Sequence, residues 1–323
     1  MAVSDSGVDM DHCYFFDSNP LIRDGSVDES QRKLIQYVPT RKGDNTDVYD
    51  GHGTHVAATV MGKKSIDGTS SGESEGMIDG VARDARLAFF DMGNGSNCCT
   101  FPSATVLLST GREGVSKKAG VMNMSWGTGR NQYDGKARKF DQYMYDNDEF
   151  LTVAAAGNYG MKDGISHIKE TVGSPAISKN GIAVGASQST GKDIYTGAML
   201  GADYLACFSS RGPAEDGRMK PDIVAPGFFI LSAKAIPEQS GECDPEERPS
   251  PDGSKDGVSF KAGTSMASPV VTGSVALVRQ YFEDGFYPSG KKDKSKSFSP
   301  SAALIKAVIF NGGQDMEGAQ DTW

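Results

Sequence analysis

Three short segments carry side chains that together could break an acyl bond: a carboxylate at Asp5, an imidazole at His52 and a hydroxyl at Ser265. In Ala2-Val3-Ser4-Asp5-Ser6-Gly7 a short β-type run ends in the carboxylate and a glycine turn, which puts Asp5 at the carboxyl end of a strand. Sites in open α/β sheets form along that edge. Taken alone, the pattern is also that of an ordinary turn. In Asp50-Gly51-His52-Gly53-Thr54-His55-Val56-Ala57-Ala58 small residues surround two imidazoles and lead into an apolar helical pattern, so His52 belongs at a helix start. Zinc is a competing reading of this pair. Metalloprotease helices, however, space their histidines i, i+4 with a glutamate beside the first, and here the spacing is i, i+3 with no glutamate between. The third segment is Gly263-Thr264-Ser265-Met266-Ala267-Ser268-Pro269, followed by the apolar run from Val270 to Val278. Proline is tolerated only near a helix start, so Ser265 belongs in the first turn. There its N–H lacks an intrahelical partner and the helix dipole favours negative charge. A serine so placed could attack a carbonyl and also hold the oxyanion that forms. The hydrolase elbow G-x-S-x-G does not describe it, because Ala267 stands where the second glycine would be.

Bringing these residues together requires a frame. Leu87 to Phe90, Val121 to Trp126, Phe150 to Ala156 and Gly181 to Gly185 read as buried strands. Between them, Ser103 caps a predicted helix running to about Ala119, and Lys136 to Asp146 places Phe140, Tyr143 and Met144 on one helical face. Near-continuous apolar strands alternating with helices predict a doubly wound α/β fold, with a mostly parallel sheet and helices on both faces. Ser301 to Phe310 reads as a further helix. Asp67 to Gly76, Pro237 to Gly257 and the lysine-bearing Pro288 to Ser299 read as solvated surface insertions.

At 323 residues the chain is read as one domain, 1–323, able to bury a large core without metal or disulfide. A net charge of −9 argues against nucleic acid or an anionic membrane as partner. No apolar run approaches the roughly 18 residues of a membrane helix, and Met1 to Asp5 has none of the features of a signal peptide. The five cysteines (Cys13, Cys98, Cys99, Cys207 and Cys243) include no C-x-x-C pair, and their odd number leaves both thiols and one or two bridges open.

The order Asp, His, Ser is a known triad order, distinct from those of chymotrypsin and the α/β-hydrolases. Val3 to Gly7, His52 to Ala57 and Gly263 to Pro269 resemble the three active-site motifs of the subtilisin-like proteases, the subtilases. Ala154-Ala155-Ala156-Gly157-Asn158 resembles that family's strand-to-loop segment bearing the oxyanion asparagine, and Asn123-Met124-Ser125-Trp126-Gly127 its cleft-lining strand. The resemblance implies a serine endopeptidase acting on protein or peptide substrates through an acyl-enzyme. Ser265 is then the nucleophile, His52 the base and Asp5 the carboxylate that orients it, while Asn158 and the Ser265 N–H form the oxyanion hole. His55 is implied to be non-catalytic, and His12 and His167 lie outside the motifs. Substrate would lie as an extended strand beside Ser125, Trp126 and Gly127, with Ala155 and Gly157 leaving room for a large apolar side chain.

The resemblance implies more. Phe208 to Pro213, Lys220 to Gly227 and Phe229 to Ala233 are similar to the subgroup that carries a jelly-roll domain after the catalytic one. The carboxylate is already the fifth residue, and Trp323 precedes the glycine-rich closing segment of the family. Sequence missing at both ends, and secretion of a full-length protein as a monomer, are therefore expected. No cofactor or metal is required for the chemistry. Structural calcium is common in the family, but its usual N-terminal ligand positions would precede Met1, and the acidic loop Asp67 to Gly76 lacks EF-hand spacing. Two rival readings remain. One is a catalytically inactive subtilase acting as a peptide-binding module; the other is a metallohydrolase built on His52 and His55.

Overall fold

In the computed structural model the apolar runs become neighbouring strands of one sheet. Residues 1–323 are described except 20–22, 40–44, 48–49, 96–118, 163, 165, 190, 193–198, 237–242, 245–256 and 317–323. Strands β1 (Ala2–Asp5), β2 (Leu34–Pro39), β3 (Leu87–Asp91), β4 (Val121–Met124) and β5 (Leu151–Ala155) are followed by two-residue β6 (Met161–Lys162) and β7 (Ser166–His167). Next come β8 (Ile182–Ser187), two-residue β9 (Gly191–Lys192) and β10 (Met199–Leu200), and β11 (Ile223–Pro226). Seven of them form a sheet in the order β11-β8-β5-β4-β1-β3-β2, and every pairing in it is parallel. Two further strands, β12 (Ile230–Ala233) and β13 (Val258–Lys261), make an antiparallel pair beside it.

Parallel neighbours need crossovers, and helices supply them. Described here are α1 (His52–Met61), α2 (Gly135–Asp146), α3 (Thr264–Glu283) and α4 (Ala302–Asn311). Helix α2 starts where Asp134 accepts from the N–H groups of Lys136 and Ala137, and α4 where Ser301 accepts from Leu304 N–H. These caps satisfy first-turn donors that have no partner within the helix. The helix predicted from Ser103 to Ala119 lies outside the described residues.

Alternation along each strand fills both faces. Ala88 and Phe90 of β3 join a cluster with Met122, Val153, Phe140 of α2 and Val271 of α3. Leu87 and Phe89 join the other, with Val3, Tyr37 and Val56 and Val60 of α1. Each fully buried large apolar side chain contributes about 1.5–3 kcal/mol, so the two clusters dominate the favourable side of folding. No described helix is long and apolar enough to cross a membrane.

Strand β1 lies between β3 and β4, and all four of its residues are buried.

The structure resolves part of the cysteine question. Cys13 and Cys243 form a disulfide across a separation of 230 residues, while Cys207 is a buried cysteine outside that bridge; Cys98 and Cys99 lie outside the described residues. The bridge joins the segment after β1 to the one between β12 and β13. Replacing both partners with serine should lower the unfolding free energy by about 2–4 kcal/mol, as cross-links over long loops do. Denaturant melts of the two proteins test this, and coincident midpoints would contradict it.

Candidate active site

Sheet register lines up the carboxyl ends of three strands. Ser4 of β1 pairs with Met124 of β4, which pairs with Ala154 of β5, so Asp5, Ser125 and Ala155 follow at one edge. Asp5 is 2% exposed. Its Oδ1 accepts from Ser6 N–H (2.8 Å) and from His52 Nδ1 (2.7 Å), and its Oδ2 is buried without a hydrogen-bond partner.

The predicted helix start falls on His52 itself. Gly51 caps α1 in the left-handed region, with φ 63°. Helix and strand can meet here because no side chain intervenes. A Cβ on Gly53 would lie 2.1 Å from the Gly7 carbonyl oxygen and 3.1 Å from Asp5 Cβ. Burial alone would lower the pKa of His52, but the negative charge of Asp5, its hydrogen bond and the charge of Asp47 together outweigh that and raise it. The imidazole keeps an open side: its side chain is 25% exposed, against 3% for Asp5.

Ser265 is the second residue of α3, in the first turn as expected. Its hydroxyl donates to the Ser125 carbonyl (2.9 Å), and no hydrogen bond joins it to His52. Beneath it a polar network binds α3 to β4. Ser125 Oγ donates to the Ser265 carbonyl (2.9 Å) and accepts from Asn123 Nδ2 (2.9 Å), while Thr272 Oγ1 donates to Asn123 Oδ1 (2.9 Å). Buried and mutually satisfied groups of this kind rigidify the elements they join.

Asn158, exposed just beyond β5, is oriented by a residue that the sequence reading passed over. Its Oδ1 accepts from Thr264 N–H (2.9 Å) and from Thr264 Oγ1 (3.0 Å), and Thr264 Oγ1 in turn accepts from Gly157 N–H (3.1 Å). With Oδ1 so engaged, Nδ2 is the end left to donate, beside Gly263 at the head of α3. The signal was present: Thr264 adjoins Ser265, and a hydroxyl at a helix start is a recurrent partner for backbone N–H groups.

Of the residues expected to line substrate, Ser125 and Ala155 sit at the sheet edge, and Gly127 and Gly157 are half-buried. The Trp126 ring faces the interior, its Nε1 donating to Ser4 Oγ (3.0 Å). Main chain is therefore what Trp126 can offer a bound peptide.

The other histidines are held elsewhere. His55 is buried with Nε2 on the Ile230 carbonyl (3.0 Å), and burial lowers its pKa to about 3. His12 is buried with Nε2 on the Gly257 carbonyl (2.5 Å), and His167 is exposed in β7. Among the described residues no three His, Cys, Asp or Glu side chains converge as a metal group. Asp67 of the acidic loop is engaged in its own turn, with Oδ1 accepting from Thr69 N–H (2.9 Å) and Thr69 Oγ1 (2.7 Å).

Among curated relatives, the serine protease/ABC transporter B family protein tagB of Dictyostelium discoideum is 28% identical, over 98% of this chain and 19% of its own length. The serine protease AprX of Bacillus subtilis is 30% identical, over 74% of this chain and 51% of its own length. The chain thus spans about a fifth of the first relative and half of the second. A solved psychrophilic protease, S41, superposes with a TM-score of 0.54 at 25% identity, over 96% of this chain and 81% of that one. The protease domain of PatA does so at 0.54 and 22%, over 98% and 96%. The profile of the Subtilase family matches residues 1–316, and the chain belongs to that family of serine proteases.

Proposed function

We propose that this chain is an active serine endopeptidase whose charge-relay residues are Asp5, His52 and Ser265. The observation that carries the reading is the 2.7 Å contact of His52 Nδ1 with a buried Asp5, made at the sheet edge where Ser265 heads a helix. Ser265 Oγ leaves the Ser125 carbonyl and bonds to the scissile carbonyl carbon as its proton passes to His52 Nε2. Asp5 stabilises the imidazolium, and Asn158 Nδ2 with the Ser265 N–H holds the oxyanion. The carbon–nitrogen bond then breaks, the amine leaves with the proton, and water repeats the sequence to free the acid and restore the hydroxyl. No step calls for a metal.

Substrate docks as a strand along Ser125 to Gly127 and reads mainly backbone, which fits broad cleavage of proteins. The chain works as a single catalytic domain and a monomer, in a secreted protein. The stretches around Arg211, Lys220 and Phe229 fit the jelly-roll-bearing subgroup. Purified chain should hydrolyse casein, lose that activity to a serine-reactive phosphonate and keep it in a chelator. Inhibition by the chelator alone would favour the metallohydrolase.

One observation favours a second reading, an inactive peptide-binding module: Ser265 Oγ rests on Ser125 and not on His52. Absence of phosphonate labelling on a folded chain that still binds peptide would establish it.

A further inference from the structure

Asp47 is a buried carboxylate that peptide hydrolysis leaves without a task. It is 1% exposed. Its Oδ1 accepts from Ser6 Oγ (2.8 Å), and its Oδ2 accepts from Thr54 N–H (2.8 Å) and Thr54 Oγ1 (2.7 Å). Ser6 Oγ accepts in turn from Gly53 N–H (3.0 Å), and Thr54 Oγ1 from Asp9 N–H (2.9 Å). All these donors come from two places: the turn that follows Asp5 and the first turn of α1 that follows His52.

We propose that Asp47 is a positioning residue that clamps those two turns together and so holds the hydrogen bond between Asp5 and His52. The inference rests on the proteolytic reading above. Asp5 and His52 stand on different elements, and neither contacts Asp47 through a hydrogen bond of its own. A short contact between them persists only if both backbones are fixed, because a misplacement of about 1 Å costs a catalytic group some 10²-fold. The backbones already abut. A Cβ on Gly7 would lie 1.8 Å from the Thr46 carbonyl oxygen, just as one on Gly53 would strike Gly7. Asp47 adds direction to that contact. Buried N–H and O–H donors from both turns meet one carboxyl group, and without it they would be left unpaired.

The charge of Asp47 also reaches the base. Desolvation pushes its carboxyl up to about 7 against the pull of its Thr54 and Ser6 hydrogen bonds, and in its ionised form it helps to raise the pKa of His52. The titratable groups around this cluster include Asp5 of β1, Asp9 beyond it, Asp91 of β3 in register with Asp5, His52 and His55 of α1, Tyr37 of β2, and Lys261 of β13.

Kinetics on a chromogenic peptide, normalised by phosphonate titration of active sites, test the assignment in the full chain. Asp47→Ala removes three accepted hydrogen bonds; Asp47→Asn keeps the shape and part of the network but not the charge. In Asp47→Ala kcat should fall about 10–10²-fold with KM within about twofold, and Asp47→Asn should lie between it and the parent. The acid limb of kcat/KM should move to lower pH in both variants. To the extent that Asp47, pushed up to about 7, is ionised over that limb, its loss removes a nearby negative charge and lowers the pKa of His52, so the neutral base persists to lower pH. A residue needed only for folding would reduce the titrated sites and leave the limb in place. If Asp47→Ala does not fold, kcat and the His52 Nδ1–H resonance in Asp47→Asn decide. A folded variant with parental kcat and an unmoved limb would overturn the proposal.

A second measurement does not depend on catalysis. In a Ser265→Ala background, the downfield proton resonance of His52 Nδ1–H should be sharp with Asp47 and broadened by exchange in Asp47→Ala. An unchanged resonance counts against the clamp. A sharp resonance in a parent that the phosphonate does not label would instead point to failure of the proteolytic reading alone.

Discussion

Ser265→Ala is expected to lower kcat on a peptide substrate by about 10⁶, the size of loss that removal of the same group causes in subtilisin. The reason is chemical. Without Oγ no acyl-enzyme forms, and only the oxyanion donors and substrate positioning still favour hydrolysis by water. His52→Ala should cost about as much, and the double variant little more than either, because the residues act as one unit. Stability provides the control. Ser265 Oγ makes one hydrogen bond, to the Ser125 carbonyl, so the alanine variant should melt within about 1–2 kcal/mol of the parent. Burst-corrected kinetics and a denaturant melt measure both quantities. Activity within tenfold of the parent in a folded Ser265→Ala protein would remove the triad assignment.

Asn158→Ala is expected to reduce kcat by about 10²–10³ with little change in KM, the loss seen when one oxyanion donor is removed. The split between the two constants follows from timing, since the hydrogen bond strengthens only as charge develops on the carbonyl oxygen. The structure adds a sharper variant. Asn158 Oδ1 accepts from Thr264 N–H and Oγ1, which leaves Nδ2 as the donor. Asn158→Asp keeps an acceptor for Thr264 but can no longer donate, so it should be at least as damaged as the alanine. A variant whose loss lies in KM alone would place Asn158 in ground-state binding.

Much of the frame was legible because apolar runs report burial directly. Leu87 to Phe90, Val121 to Met124 and Leu151 to Ala155 become β3, β4 and β5, within a residue or two of the boundaries read from pattern. Glycine before His52 and Pro269 after Ser265 marked two helix starts, since each residue restricts the backbone whatever surrounds it. Partnerships were a different matter. Nothing local in Asp47 distinguishes a buried clamp from a turn acid; its donors come from Ser6 and Thr54, and only the fold brings them to it. Thr264 was overlooked for the same reason, its partner being Asn158 at the end of β5. The indole of Trp126 shows the limit of strand alternation. The pattern places the residue at the strand's end, but the hydroxyl of Ser4 on the neighbouring strand decides where the ring settles. Cys13 and Cys243 could not be matched from spacing, because they stand 230 residues apart and only the fold brings them together.

On the proteolytic reading, the placement of α3 also bears on when the molecule could first become active. A chain is made from its amino end, so Asp5 and His52 leave the ribosome long before Ser265. Helix α3 lies against β4, β5, β8 and β11. Until it docks, the acid–base pair has no hydroxyl to activate, and Asn158 lacks the Thr264 contacts that turn its amide. On that reading, a chain whose α3 has not docked lacks a complete site. Completion of the site then coincides with the packing of α3 on the sheet.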